Sequence, residues 1–186
     1  MSTKGLTIIY YGKGKGKTTA AMGLAVRALG TGLNVAILQF IKGEWPSGER
    51  DFFQVLKDIE IPAGTLGKLK VKTLGRGFVR IIDDKKPFVV HKRAARDGIE
   101  EAKKILKSKE FDVVILDEII SAFEEKVITI SDIEKVLKAK PKNVHLVLTG
   151  HTLPARLKTK ADLVTEMKMI KHPYYKGMLA ERGVDY

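Results

Sequence analysis

The chain has 186 residues, 44% of them hydrophobic and 30% charged, with 34 Lys and Arg against 22 Asp and Glu and no cysteine. This is the composition of a globular protein with a core of its own; the missing thiols exclude cysteine nucleophiles, disulfide frameworks and cysteine-bound zinc, and no apolar run reaches the roughly 20 residues that a membrane-spanning helix needs. The net charge of +12 would draw polyphosphates, acidic proteins or nucleic acid, yet a lysine-rich solvated surface is the simpler account, so nucleic acid is not expected as a partner and no membrane is.

Met1-Ser2-Thr3-Lys4-Gly5 enters the first apolar segment without the charged, apolar and cleavable stretches of a secretory signal, which predicts a cytoplasmic protein. Leu6 to Tyr11 then reads as a buried strand that stops at Gly12. Lys17 to Leu29 reads as a helix, its Ala20, Ala21, Leu24, Ala25 and Ala28 recurring at helical spacing before Gly30 and Gly32 end it. Asn34 to Phe40 resumes a strand pattern, and a strand, helix and strand joined so closely imply parallel strands with a right-handed crossover. From Ile41 to about Pro87 glycines and prolines interrupt every period, and this stretch is expected to hold substrate-shaping loops.

Regularity returns with a helix over about His91 to Lys107, striped by Ala94, Ala95, Gly98, Ile99, Ala102, Ile105 and Leu106. Phe111 to Leu116 is a strand; Ser131 with Glu134 predicts a capping box opening a helix to about Lys138; Val144 to Thr149 and Leu163 to Met169 are further strands. With no repeat or linker to divide it, the chain is expected to form a single domain over residues 1–186. Its class is α/β, a mostly parallel sheet with helices on both faces and a ligand at the carboxyl ends of the strands.

The run Gly12-Lys13-Gly14-Lys15-Gly16-Lys17-Thr18-Thr19 stands between the first strand and the first helix, where a phosphate loop belongs. Its glycines let amides converge on anionic oxygens, Lys17 brings a mobile charge to a polyphosphate, and the Thr18 hydroxyl is placed to ligate magnesium. A flexible basic loop is the plainer alternative, opposed by the strand before it and the helix after it. The common spacing G-x-x-x-x-G-K-[ST] requires glycine where Tyr11 stands, so the loop is one residue shorter, which weakens any automatic assignment of γ-phosphate hydrolysis. Asp112 to Leu116 runs into Asp117 and Glu118, a buried strand ending in two carboxylates where phosphate-loop proteins hold magnesium. Acids that merely open the next helix are the alternative. Glu118 could also orient an attacking water, so the pair does not decide the reaction.

Further stretches resemble the phosphate-loop type of ATP:corrinoid adenosyltransferase, the enzymes that act on cob(I)yrinic acid a,c-diamide or cob(I)alamin. These are Gln39-Phe40-Ile41-Lys42-Gly43 with Trp45-Pro46-Ser47-Gly48-Glu49, Leu148-Thr149-Gly150 with Ala161-Asp162-Leu163-Val164-Thr165-Glu166-Met167, and the tail Ile170-Lys171-His172-Pro173 closing on Gly183-Val184-Asp185-Tyr186. The resemblance implies a phosphate-loop NTPase-like (RecA-like) fold. It also implies transfer of the 5'-deoxyadenosyl group of ATP to a cobalt(I) corrinoid with loss of triphosphate, in adenosylcobalamin biosynthesis or salvage. The shortened loop is a trait of that family, in which the nucleotide lies reversed.

Carried across by position, Gly12 to Thr19 and Arg27 would meet the nucleotide. Lys17, Thr18 and Glu118 would act in the reaction, and Thr18 with Asp117 and Glu118 would hold Mg2+ or Mn2+. Phe78 would press on the corrinoid, although Arg80 stands where the family often has a second aromatic residue. His151 replaces an arginine after Thr-Gly, as a phosphate donor or as an ordinary loop residue. Only five residues precede the first strand, where some members carry an arm that folds over the corrinoid. The resemblance further implies a homodimer and a flavoprotein reductant. The rival readings are a generic phosphate-loop ATPase or kinase, for which the charge makes nucleic acid one candidate substrate, and a non-enzymatic nucleotide-binding scaffold or corrinoid carrier.

Overall fold

The computed structural model describes residues 4–41, 47–59, 62, 64–75, 77 and 86–184. Six strands alternate with helices: β1 (Thr7–Tyr11), α1 (Lys17–Gly30), β2 (Val35–Gln39), α2 (Gly48–Asp58), β3 (Leu69–Thr73), α3 (Phe88–Ser108), β4 (Val113–Asp117), α4 (Ile119–Glu124), α5 (Ile130–Ala139), β5 (His145–Gly150), α6 (Ala155–Lys158) and β6 (Leu163–Glu166). A short 3₁₀ turn, Pro173–Lys176, follows in the tail. The strands form one sheet in the order β3-β2-β4-β5-β1-β6. Every pairing in it is parallel. Insertion of β5 between β1 and β4 is the RecA-like arrangement, and it sets the end of β5 between a loop after β1 and the acids after β4.

Alternation along each strand divides the core into two layers. Ile8, Val35, Ile37, Val113, Ile115 and Val147 face Ala21, Met22, Ala25 and Leu29 of α1 and Phe53 of α2. The intervening Ile9, Leu38, Val114, Leu116, Leu146 and Leu148 face Ala95, Ile99 and Ala102 of α3, Ile120 of α4, and Ile133 and Val136 of α5. Strands covered on both sides need apolar residues at successive positions, which is why β2 and β4 are buried at all five.

The stretch expected to be loops holds both α2 and β3. Of the four large apolar residues of α2 only Phe53 is buried, and β3 is an edge strand whose Lys70, Lys72 and Thr73 are exposed. The capping box of α5 lies two residues earlier than Ser131 and Glu134 suggest: the Asp132 amide donates to Thr129 Oγ1, and the Thr129 amide to Asp132 Oδ2 at 3.0 Å. Glu134 instead pairs with Arg156 at 2.7 Å and Lys160 at 3.0 Å. β6 ends at Glu166 rather than Met169, with all four residues exposed at the other edge of the sheet.

Candidate functional site

The carboxyl ends of β1, β2, β4 and β5 lie level along one edge, with Gln39 opposite Asp117, Leu116 opposite Leu148, and Tyr11 opposite Gly150. The chain leaves β1 through Gly12, at φ 117°, where an added Cβ would lie 2.3 Å from the Met167 carbonyl oxygen; only glycine combines that conformation with that approach. Two backbone braces then hold the loop from outside. The Gly12 amide donates to the His151 carbonyl at 3.1 Å, and the Gly14 amide to the Met167 carbonyl at 2.8 Å. α1 begins at Lys17 without a side-chain cap and without an acid in its first turn, so its opening amides point toward the mouth of the loop, the arrangement that accepts an anion.

Lys17 Nζ donates to the Gly14 carbonyl at 2.7 Å. Burial holds its ammonium below the usual lysine range, against the opposing pull of the Glu118, Glu124 and Asp117 carboxylates. Asp117 is fully buried. Its Oδ1 accepts from Thr18 Oγ1 at 3.0 Å and from Thr149 Oγ1 at 2.8 Å, and Gln39 Nε2 stands 3.5 Å from its Oδ2. Glu118 heads α4 in the left-handed region, at φ 61°, and its amide donates to Thr149 Oγ1 at 2.7 Å.

This set fits a hard cation such as Mg2+ or Mn2+. The single proton of the Thr18 hydroxyl goes to Asp117, which directs its lone pairs elsewhere, and the neighbouring acids are carboxylates of the kind magnesium selects. Among the described residues no group of three or more His, Asp or Glu could hold a metal ion. A cation here would therefore complete its octahedron with phosphate oxygens and water, as magnesium does on nucleotides.

Beside the loop, Glu124 of α4 accepts from the Thr152 amide at 2.6 Å and the Thr152 hydroxyl at 2.7 Å, and its Oε2 lies 3.4 Å from His151 Nδ1. Burial pushes the Glu124 carboxyl up, but the bonds from His151 and Thr152 outweigh it and hold the group below the ordinary range. The His151 ring also stands 3.2 Å from Ser121 Oγ. Its side chain is tied to α4 while its carbonyl braces the loop.

The structure brings Gly12, Gly14, Gly16, Lys17, Thr18, Asp117 and Glu118 together. Lys13, Lys15 and Thr19 are exposed on the same loop and first turn. Arg27 is not brought there: it lies exposed in the last turn of α1, ten residues beyond Lys17, or about 15 Å along the axis at 1.5 Å per residue. Phe78 and Arg80 lie outside the described residues. Sequence reading gave no role to Thr149, Gln39 or Glu124, although a polar residue ending an apolar strand was a usable signal for the first two.

Comparison with known proteins bears on the chain as a whole. The family model described as "ATP:corrinoid adenosyltransferase BtuR/CobO/CobP" matches residues 3–186. A Corrinoid adenosyltransferase of Sinorhizobium is 38% identical over 98% of this chain and 81% of its own. The Corrinoid adenosyltransferase of Escherichia coli K12 is 31% identical over 98% of this chain and 86% of its own. Among solved structures, the ATPase EscN of the enteropathogenic E. coli type III secretion system aligns at 14% identity and a TM-score of 0.48, over 93% of this chain and 45% of that one.

Proposed function

This chain belongs to the ATP:corrinoid adenosyltransferase family, and from that premise we propose how its residues move the 5'-deoxyadenosyl group of ATP onto the cobalt(I) of a corrinoid. The cobalt(I) electron pair forms the cobalt–carbon bond to C5', and the pair of the C5'–O bond departs with triphosphate. The observation that carries the reading is the hydrogen-bonded set of Thr18, Asp117 and Thr149 beside Lys17, on a loop one residue shorter than the common spacing.

Residues Gly12 to Thr19 grip the polyphosphate, and Lys17 meets the charge that gathers on it as the bond breaks. Thr18, Asp117 and Glu118 would hold Mg2+ or Mn2+, which when bound neutralises part of the charge on the leaving triphosphate. Within that run the Gly12 and Gly14 amides are committed to His151 and Met167 and shape the loop, leaving the other amides and Lys17 to meet the phosphates. Phe78 would press on the corrinoid, a role supported by the resemblance to the family.

Residues 1–186 would act as one ATP- and corrinoid-binding unit, a reading supported by a family match that runs from 3 to 186. A homodimer is supported by the exposed β6 edge and by Ile170 at 90% and Leu179 at 86% exposure in the tail beyond it. An acidic flavoprotein is the reductant that the +12 charge would receive. A cytoplasmic setting is in keeping with a chain free of cysteine, and no helix among the described residues is long and apolar enough to cross a membrane.

An anaerobic assay with ATP, magnesium and chemically reduced corrinoid tests the reaction. The spectrum of a cobalt–carbon product together with intact triphosphate is expected. ADP and free phosphate with unalkylated cobalt would overturn it in favour of an ordinary ATPase or kinase.

A further inference from the structure

We propose that Thr149 is the positioning residue that sets both acids of the site, Asp117 and Glu118, in the geometry that the nucleotide-bound cation requires; the proposal rests on the reading of the loop given above. Thr149 is 1% exposed at the end of β5, level with Tyr10 of β1. Its one hydroxyl serves both acids, donating to Asp117 Oδ1 at 2.8 Å and accepting the Glu118 amide at 2.7 Å. A hydroxyl has a single proton, so donation to Asp117 fixes its rotor and turns a lone pair to Glu118. The side chain thus carries one fixed direction of hydrogen bonding from the head of α4 to the carboxylate that also receives Thr18.

The conformation of Glu118 gives this bridge its purpose. At φ 61° and ψ 20° a glutamate is held where residues with a side chain seldom go, and such strain persists only when the surroundings impose it. The bond to Thr149 Oγ1 supplies that constraint at the strained residue's own amide. β5 cannot drift to relieve it: a Cβ on the next residue, Gly150, would stand 2.4 Å from Ile120 Cβ and 2.9 Å from the Ser121 amide, so strand end and helix start are in contact. Thr149 spends its hydrogen bonds on the Asp117 carboxylate and on the backbone amide of Glu118.

The experiment compares Thr149→Val, Thr149→Ala and Thr149→Ser with the parent chain, measuring Mn2+ binding in the presence of ATP by electron paramagnetic resonance, without corrinoid, alongside the melting temperature without nucleotide. Groups that orient the ligands of a metal typically contribute 10- to 100-fold in its affinity, so Val and Ala should each weaken Mn2+ binding by roughly that factor, while Ser stays within about twofold of the parent. Should the valine chain fail to fold, the contrast of Ala with Ser decides the matter on the same readout. A lowered melting temperature with unchanged Mn2+ binding would assign Thr149 to packing alone and overturn the proposal, as would a serine chain as weak as the alanine one. A parent chain that binds no Mn2+ with ATP would remove the reading of the loop, and the proposal with it.

Discussion

Replacing Asp117 by Asn separates what the site does for function from what it costs the fold. The asparagine oxygen can accept from Thr18 and Thr149 as Oδ1 does now. Two charge-assisted bonds then become neutral ones, a loss of about 1 kcal/mol each. Against this, the carboxylate is fully buried, and removing an ionised group from water costs several kcal/mol, which the amide does not incur to the same degree. The second effect is the larger, and the balance favours Asp117→Asn by about 1–2 kcal/mol in the absence of nucleotide and metal. For a chain of this size each kcal/mol moves the melting temperature by about 2–4 °C, so a rise of about 2–8 °C is expected by calorimetry. Adenosyl transfer should meanwhile fall at least about 100-fold, because an amide oxygen is a far poorer magnesium ligand than a carboxylate. A chain that melts several degrees lower would refute the argument from burial. One that keeps more than about a tenth of the parental kcat/KM would refute the role given to the acid.

Lys17 sets a pH dependence with opposite signs for binding and for stability. Its folded pKa lies below the usual 10.5 because burial disfavours the ammonium, so triphosphate binding measured by calorimetry should weaken on the alkaline side before pH 10.5, and Lys17→Arg should move that limb to higher pH. The unfolded chain holds the proton more tightly, so the cost to stability is fully present below the folded pKa and is relieved as pH rises toward 10.5. Gly12→Ala should abolish measurable ATP binding: the new methyl would fall 2.3 Å from the Met167 carbonyl oxygen at a φ of 117°, where a side chain costs about 1–2 kcal/mol before the clash is counted. Unchanged ATP affinity in that variant would show that the loop can move away from β6.

The parts of the fold legible in the sequence are those whose local pattern and final environment agree. β2 and β4 are covered on both faces and read as unbroken apolar runs; α1 and α3 bury one stripe each and read at helical period. The phosphate loop was legible because glycine, lysine and threonine at fixed spacing have few other uses between a strand and a helix. β3 and α2 were not, because the glycines and prolines that crowd the stretch around them read as loop, and an edge strand with three exposed residues lacks the unbroken apolar run of β2 and β4. For the α5 cap, both Thr129 with Asp132 and Ser131 with Glu134 satisfy the spacing, and only the approach of Arg156 and Lys160 to Glu134 separates them. Thr149 belongs to the Leu148-Thr149-Gly150 run, but its bonds to Asp117 and Glu118 depend on the strand order of the sheet, which spacing along a chain does not encode. Arg27 shows the converse, a position carried across from a family that the helix axis sets far from the loop.

The bonds from Gly12 to His151 and from Gly14 to Met167 join segments that lie far apart along the chain. The glycine-rich turn therefore leaves the ribosome well before the carbonyls of His151 and Met167 that shape it. A nascent chain halted before β5 and β6 would carry the whole nucleotide motif and still lack the supports that give it form. ATP uptake by the glycine-rich turn is thus expected to depend on β5 and β6 being in place to hold His151 and Met167 against it.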